Sequence, residues 1–304
     1  LRKKLLKVVS SQSMVVLIFC VIQHGNRIIT LSKKMLKASV IISMYKDVEA
    51  LNSILYALSK QSISEFEVII AEDGDDPQVA EFLNSVPYSN LQLVHITQDD
   101  LGWRKMTAVN KAVAKAKSDY VIFLDGDCIP HFKHIEIHLE QRSKGSVLIG
   151  RRVFLGERYS KLVRQEPKNI GPLQNPLIYL SKIVSLHKDK IRNYEVGFIN
   201  PLLHMIYKKK YLNLVGCNFS CFATDFKLVN GYNEELPGVG AEDDDLSHRM
   251  IAIGLEMRNI KFLSPVYHLD HPTRRSLADV NKKITKENMD KGIYYCKKGI
   301  DQYL

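Results

Sequence analysis

Tyr120-Val121-Ile122-Phe123-Leu124-Asp125-Gly126-Asp127 decides the fold: an apolar, β-favouring run passes without interruption into two carboxylates separated by one glycine. A run of this kind reads as a strand covered on both faces, and such strands belong to parallel sheets flanked by helices. Upstream, Ala38 to Met44 (ASVIISM), Glu67 to Ala71 (EVIIA) and Leu91 to Ile96 read as further strands. Between them Val48, Leu51, Leu55 and Leu58, and then Met106, Val109, Val113 and Ala116, recur at helical spacing. Strand alternating with helix predicts an α/β domain, a Rossmann-like, mainly parallel sheet with helices on both faces. In such sheets ligands bind beyond the carboxyl ends of the strands. Glu72-Asp73-Gly74-Asp75 and Asp125-Gly126-Asp127 both lie at such ends and are expected to border one crevice.

Downstream the pattern loosens. The stretch from about Arg151 to Leu214 is rich in Lys, Arg, Asn, Pro and Tyr and reads as a long excursion or lid with short helices. From Val215 regularity returns: GCNFSCF, a short helix over Thr224 to Val229, the glycine-rich loop LPGVGAEDDDL, then Leu246, Met250 and Ile253 at helical spacing. Met257 to Leu263 and Val266 to Leu269 read as strands, and the basic stretch from Ser276 onward as helical.

The acidic turns carry the candidate chemistry. Asp125 and Asp127 can share a hard cation such as Mg²⁺ or Mn²⁺, which would neutralise a diphosphate leaving group. Gly126 would let the backbone approach a ligand closely. Asp-Gly is also a common turn pair, so a plain solvated turn is the competing reading. Asp73 could accept a hydrogen bond from a base or a ribose hydroxyl, and Arg104 and Lys105 could meet phosphates. Glu242-Asp243-Asp244-Asp245 suits a helix start, whose dipole and free N–H groups favour negative charge. Capping needs one or two acids rather than four, so one of them could act as general base on an acceptor hydroxyl. His268 or His271, in YHLDHP, could complete a metal site begun at Asp125 and Asp127.

Together these motifs resemble the inverting GT-A glycosyltransferases of family 2, over Ala38 to about Pro272. SVIISMYKD is similar to the opening strand, which implies that Tyr45 borders the nucleotide; Ser43-Met44 stands where Pro-Thr is usual. EVIIAEDGD resembles the second strand and implies that Asp73 contacts the base. GWRKMTAVNKAV is similar to the segment in which an Arg, here Arg104, approaches the nucleotide and an Asn, here Asn110, opens a helix. YVIFLDGDCIP implies Asp125 on the nucleotide side and Asp127 as metal ligand. VGCNFSCF, whose Asn218 the likeness implies as a nucleotide-sugar contact, and GYNEELPGVGAEDDDLSHRM resemble β-1,4-galactosyltransferases and chondroitin-polymerase-like enzymes. That likeness implies Asp243 as catalytic base, Glu242 as a hydrogen-bonding partner of sugar hydroxyls, and His268, with His271 as the alternative, as metal ligand.

The resemblance therefore implies a metal-dependent (Mn²⁺ or Mg²⁺) inverting transfer from a nucleotide sugar, a UDP-sugar by preference. The acceptor would be a glycan or lipid-linked hydroxyl in surface polysaccharide or lipopolysaccharide synthesis, with no nucleic-acid partner. Membrane helices and a processivity motif are not found downstream, so transfer of a single sugar is expected. Two rivals have specific requirements. A sugar-phosphate nucleotidyltransferase needs a glycine- and Arg/Lys-rich phosphate loop after the first strand, where this chain has MYKDVEA. A non-catalytic nucleotide- or glycan-binding module needs no carboxylate at Asp243.

Composition is compatible with this reading without selecting it. The chain has 304 residues, 45% hydrophobic and 25% charged, room for one large α/β domain or two small ones. Its net charge of +10 favours acidic partners, phosphorylated substrates or an anionic bilayer among them. Lys208-Lys209-Lys210 would support peripheral association at the inner face of the membrane. Cys20, Cys128, Cys217, Cys221 and Cys296 form no CxxC pair, which fits free thiols in a reducing cytoplasm. Val15 to Ile22 follows a basic stretch but is too short to cross a membrane. Residues 1–34 are expected to be a peripheral extension of a domain spanning 35–304. That domain divides into a nucleotide-sugar half over about 38–150, an acceptor half over about 151–275 and a helical tail over about 276–304.

Overall fold

The computed structural model describes residues 35–272 and 276–304, and ahead of them the backbone of three strands. These are Leu5–Leu6 (β1), Phe19–His24 (β2) and Arg27–Ser32 (β3), paired antiparallel in a sheet of their own. The chain divides into two compact units, residues 1–36 and 37–304. The expectation that 1–34 is a peripheral extension otherwise lies outside the described residues.

The larger unit opens with Ala38–Met44 (β4), Val48–Ser59 (α1), Phe66–Glu72 (β5), Pro77–Ser85 (α2), Leu93–Ile96 (β6), Lys105–Lys115 (α3) and Tyr120–Asp125 (β7). It continues with Cys128–Pro130 (β8), His134–Gln141 (α4), Ser146–Ile149 (β9), Arg151–Phe154 (β10), Glu157–Gln165 (α5), Pro176–Lys188 (α6) and Pro201–Tyr207 (α7). Phe219–Phe222 (β11), Ala223–Leu228 (α8), Glu242–Ala252 (α9), Glu256–Asn259 (β12), Pro265–His268 (β13) and Ala278–Asp290 (α10) follow.

Seven strands form the main sheet in the order β12-β9-β11-β7-β4-β5-β6. β7, β4, β5 and β6 are mutually parallel, and β11 runs antiparallel to both its neighbours. Every residue of β4 is buried, because both faces of the sheet are covered. Val40 and Ile42 pack with Leu51, Ile54, Leu55 and Leu58 of α1, while Ile41 on the other face packs with Met106, Val109 and Val113 of α3. The alternation of side chains along a strand thus feeds two separate cores. α1 starts where Asp47 Oδ1 accepts from the Ala50 N–H, a side-chain cap.

A second sheet, β10-β13-β8, stands beside the first, with β13 parallel to β10 and antiparallel to β8. The excursion expected over Arg151 to Leu214 has the short helices expected of it, and they pack on the core rather than standing off as a lid. It begins as the strand β10 and continues as a helical layer whose Val163, Ile170, Leu173, Tyr179 and Leu186 join the α1-side core. The strand expected over Met257 to Leu263 ends at Asn259, where Asn259 Oδ1 accepts from the Lys261 N–H and turns the chain. Asn110, expected to open a helix, lies inside α3, fully buried. Its amide donates to the Tyr232 carbonyl and to Glu234 Oε1, tying α3 to the segment before α9.

Candidate active site

The carboxyl ends of β4, β5 and β7 open into a cavity of about 800 Å³. Parallel pairing sets all three ends at one edge, so Ser43, Asp73 and Asp125 line the same space although they are far apart in sequence. Gly126 turns the chain there. Its N–H donates to the Ser43 carbonyl at 2.7 Å, and a Cβ at this position would meet Met44 Cβ at 2.7 Å.

Just past β5, Asp73 is nearly buried and its oxygens accept from Gln98 Nε2 (2.8 Å) and the Arg104 backbone N–H (2.5 Å). Tyr45 lines the cavity, with its hydroxyl donating to Asp100 Oδ2 at 3.1 Å. Arg104 is not brought into the cavity; its guanidinium donates to the Asp99 carbonyl. Its neighbour Lys105 takes the place, with Nζ 2.6 Å from Asp125 Oδ1, which also accepts from Ser43 Oγ at 3.1 Å. Burial opposes the Lys105 charge, but Asp125, Asp243 and Glu242 outweigh it and hold the ammonium above its ordinary range. Asn218 is also outside the cavity: it is fully buried and its amide donates to the Arg151 and Ser264 carbonyls, joining the two sheets.

Asp127 lies just past the glycine. Its Oδ2 is 3.0 Å from His271 Nε2 and 3.6 Å from His268 Nε2, and one ligand atom from each residue falls within 4.8 Å of the others. β13 delivers His268, and the turn after it delivers His271. Burial works against the Asp127 charge, yet the two imidazoles hold its carboxyl well below the usual carboxylate range. Burial keeps His268 on the neutral side, the form that offers a lone pair. One carboxylate and two imidazoles make a donor set suited to a divalent transition metal. Asp125 is engaged by Lys105 and Ser43 instead.

Helix α9 fans its four acids around its axis, about 100° apart, so each meets a different environment. Glu242 Oε2 accepts from the Gly240 N–H at 2.8 Å. Asp243 faces the cavity, with Oδ2 accepting from the Gly216 N–H (2.7 Å) and Oδ1 from the Tyr232 hydroxyl (2.9 Å). Burial, reinforced by Glu242 and Asp125 and opposed by Lys105 and the Gly216 N–H, pushes the Asp243 carboxyl up to about 6. Asp244 does not line this cavity, and Asp245 is buried against Arg249 Nε at 2.8 Å.

Three cavity residues stand out that the sequence reading did not single out. Arg152 and Arg192 hold their guanidiniums 4.8 and 4.4 Å from the centre of the Phe154 ring, which lies 5.0 Å from His268. Arg152 and Phe154 belong to the RRVF of β10, and Arg192 stands alone, all inside a stretch read as irregular. Gly216 and Tyr232 were equally silent, because a residue that orients another through space leaves no spacing pattern.

Comparison with known proteins bears on this arrangement. The model of glycosyl transferase family 2 matches residues 39–229. That of the N-terminal domain of galactosyltransferase matches residues 198–272. Validoxylamine A glucosyltransferase of Streptomyces hygroscopicus subsp. jinggangensis is 25% identical over 72% of this chain and 52% of its own length. Chondroitin synthase of Escherichia coli is 23% identical over 84% of this chain and 38% of its own length. The chain thus spans about half or less of the length of these relatives. Among solved structures, S. aureus TarS 1–349 in complex with UDP superposes with a TM-score of 0.55 at 15% identity, covering 88% of this chain and 68% of that one. A mannosyltransferase from Pyrobaculum calidifontis in complex with GDP-Man and Mn²⁺ gives 0.51 at 13%, covering 80% and 59%. At such identities the likeness concerns the fold, the mostly parallel sheet flanked by helices described above.

Proposed function

The chain belongs to glycosyl transferase family 2, and from that premise we propose that it transfers a sugar from a nucleotide-sugar donor, a UDP-sugar, to a hydroxyl of a glycan or lipid-linked acceptor, with inversion. The observation that carries the proposal is the placement of Asp243 in one cavity with Asp73, Asp125 and the Asp127–His268–His271 cluster. Asp73 and Tyr45 would border the nucleotide, and Lys105, Arg152 and Arg192 would supply positive charge toward the diphosphate. Asp127, His268 and His271 would hold a divalent cation. Two imidazoles beside one carboxylate suit Mn²⁺ better than Mg²⁺, which favours an all-oxygen shell. When bound, that ion would neutralise charge developing on the departing diphosphate.

Asp243 would take the proton from the acceptor hydroxyl as that oxygen attacks the anomeric carbon and the bond to the diphosphate breaks. Gly216 and Tyr232 fix both of its oxygens, so the carboxylate is positioned before the acceptor arrives. Glu242, one oxygen of which is held by Gly240, would offer the other to a sugar hydroxyl. The reading includes surface polysaccharide or lipopolysaccharide assembly at the cytoplasmic face of a membrane.

The test is hydrolysis and transfer across a panel of UDP-, GDP- and dTDP-sugars, with Mn²⁺, Mg²⁺ or chelator. Manganese-stimulated turnover of a UDP-sugar is expected. Turnover indifferent to chelator would sink the metal site, and binding of nucleotide sugars without any turnover would favour a non-catalytic module.

A further inference from the structure

Helix α6 is apolar on two sides. Tyr179, Ile183 and Leu186, spaced for one face, pack inward on the core. Leu177, Leu180 and Val184 recur on another face and lie open, Leu177 78% and Val184 70% exposed. A surface helix ordinarily keeps that outer face polar. α7 repeats the pattern within seven residues: Leu202, Met205 and Ile206 share a face and are 75%, 63% and 69% exposed. No described residue of the larger unit covers these side chains, and clustered exposed apolar residues mark interaction sites rather than ordinary surface.

The charge around them identifies the partner's chemistry. Residues 176–211 carry seven Lys and Arg against Asp189 and Glu195. Both acids are already engaged: Asp189 accepts from the Arg158 and Tyr159 N–H groups, and Glu195 lies 3.9 Å from Lys261. Lys208, Lys209 and Lys210 follow directly on α7 and are exposed, Lys210 resting 4.4 Å from the Tyr207 ring. Apolar side chains flanked by unneutralised lysines match a lipid surface with anionic headgroups: the aliphatic groups enter the acyl boundary while the ammonium groups remain among phosphates. No helix of the described residues is long and apolar enough to cross a membrane. Contact would therefore be interfacial.

We propose that the outer faces of α6 and α7, with Lys208–Lys210, form a docking surface for an anionic lipid bilayer. The surface would hold the enzyme at the membrane that carries the lipid-linked acceptor proposed above. Its purpose rests on that reading, but docking itself does not, and vesicle binding is read without catalysis, so either can fail alone.

The experiment is flotation of the full chain with phosphatidylcholine vesicles, with and without phosphatidylglycerol, across a salt series. The wild type should float with the anionic vesicles and lose binding as salt rises. Joint Lys208→Glu, Lys209→Glu and Lys210→Glu should weaken that binding by about 100-fold. Joint Leu202→Ser, Met205→Ser and Ile206→Ser should weaken it about tenfold or more while leaving donor hydrolysis and melting temperature unchanged. Equal binding to neutral and anionic vesicles, or none to either, would overturn the proposal. So would light scattering that shows a dimer which the serine variant converts to monomer, since the face would then be covered by a second copy.

Discussion

Asp243 receives hydrogen bonds from Gly216 and Tyr232, yet its environment raises its affinity for a proton. This combination has two measurable consequences. As a base it must be ionised, so transfer should decline as pH falls below about 6, in a kcat/KM profile. Asp243→Asn should lower the transfer rate about 10²–10⁴-fold with nearly unchanged UDP affinity. The stability effect has the opposite direction. Because the folded carboxyl is raised above the ordinary aspartate value, the wild type loses stability as pH rises from about 4 through about 6. Asn at this position carries no such loss. Its melting temperature should exceed the wild type's at pH 8, with the gap closing toward pH 4; a variant less stable at pH 8 would show that the carboxylate is structural. Asp245 is the contrast. It forms a buried pair with Arg249, which also donates to the Val229 and Gly231 carbonyls, so Asp245→Ala should cost about 3–5 kcal/mol in urea denaturation. At the other end of the cavity, Asp127→Asn and the His268→Ala, His271→Ala pair should each weaken manganese-dependent UDP binding in calorimetry. Affinity equal to wild type with and without chelator would remove the metal site.

The turn between β7 and β8 shows how an element constrains its residues. Gly126 sits where any Cβ would press on Met44 and the Ser43 carbonyl, since β4 runs immediately alongside. Gly126→Ala should therefore push the end of β7 away from β4, costing about 1–3 kcal/mol in denaturant titration and weakening UDP binding with it. Unchanged stability would mean that the turn yields easily. At this scale the buried strands were legible: β4 spans Ala38–Met44 as read, and β7 extends the expected run by one residue, to Asp125. Continuous apolar runs ended by acidic turns leave little choice of conformation. β10 was not legible, and the helices after it were expected only as short ones without bounds. Their apolar residues are divided between an inward and an outward face, which blurs the periodicity that would have marked them.

For the molecule as a whole, the strands β1–β3 form their own sheet and residues 37–304 their own compact unit with both cores. A chain starting at Met35 should retain the melting temperature and donor hydrolysis of the longer one, measured side by side; loss of either would make residues 1–34 part of the working fold. The sequence by itself determined the α/β alternation, the edge of the sheet on which ligands would gather, and the identity of Asp73, Asp125, Asp127 and Asp243 as residues of interest. Those are local matters, set by side-chain polarity and spacing along a few residues. Only the tertiary structure decided that Lys105 rather than Arg104 enters the cavity, that Asn218 serves to join the sheets, and that both histidines flank Asp127. It also separated the four acids of α9 into two cavity carboxylates, one of which anchors the loop, a carboxylate outside the cavity and a buried ion pair. The physical reason is that adjacent residues on a helix point about 100° apart. What each one meets depends on the strands and loops packed around it, contributed by segments far away in the chain.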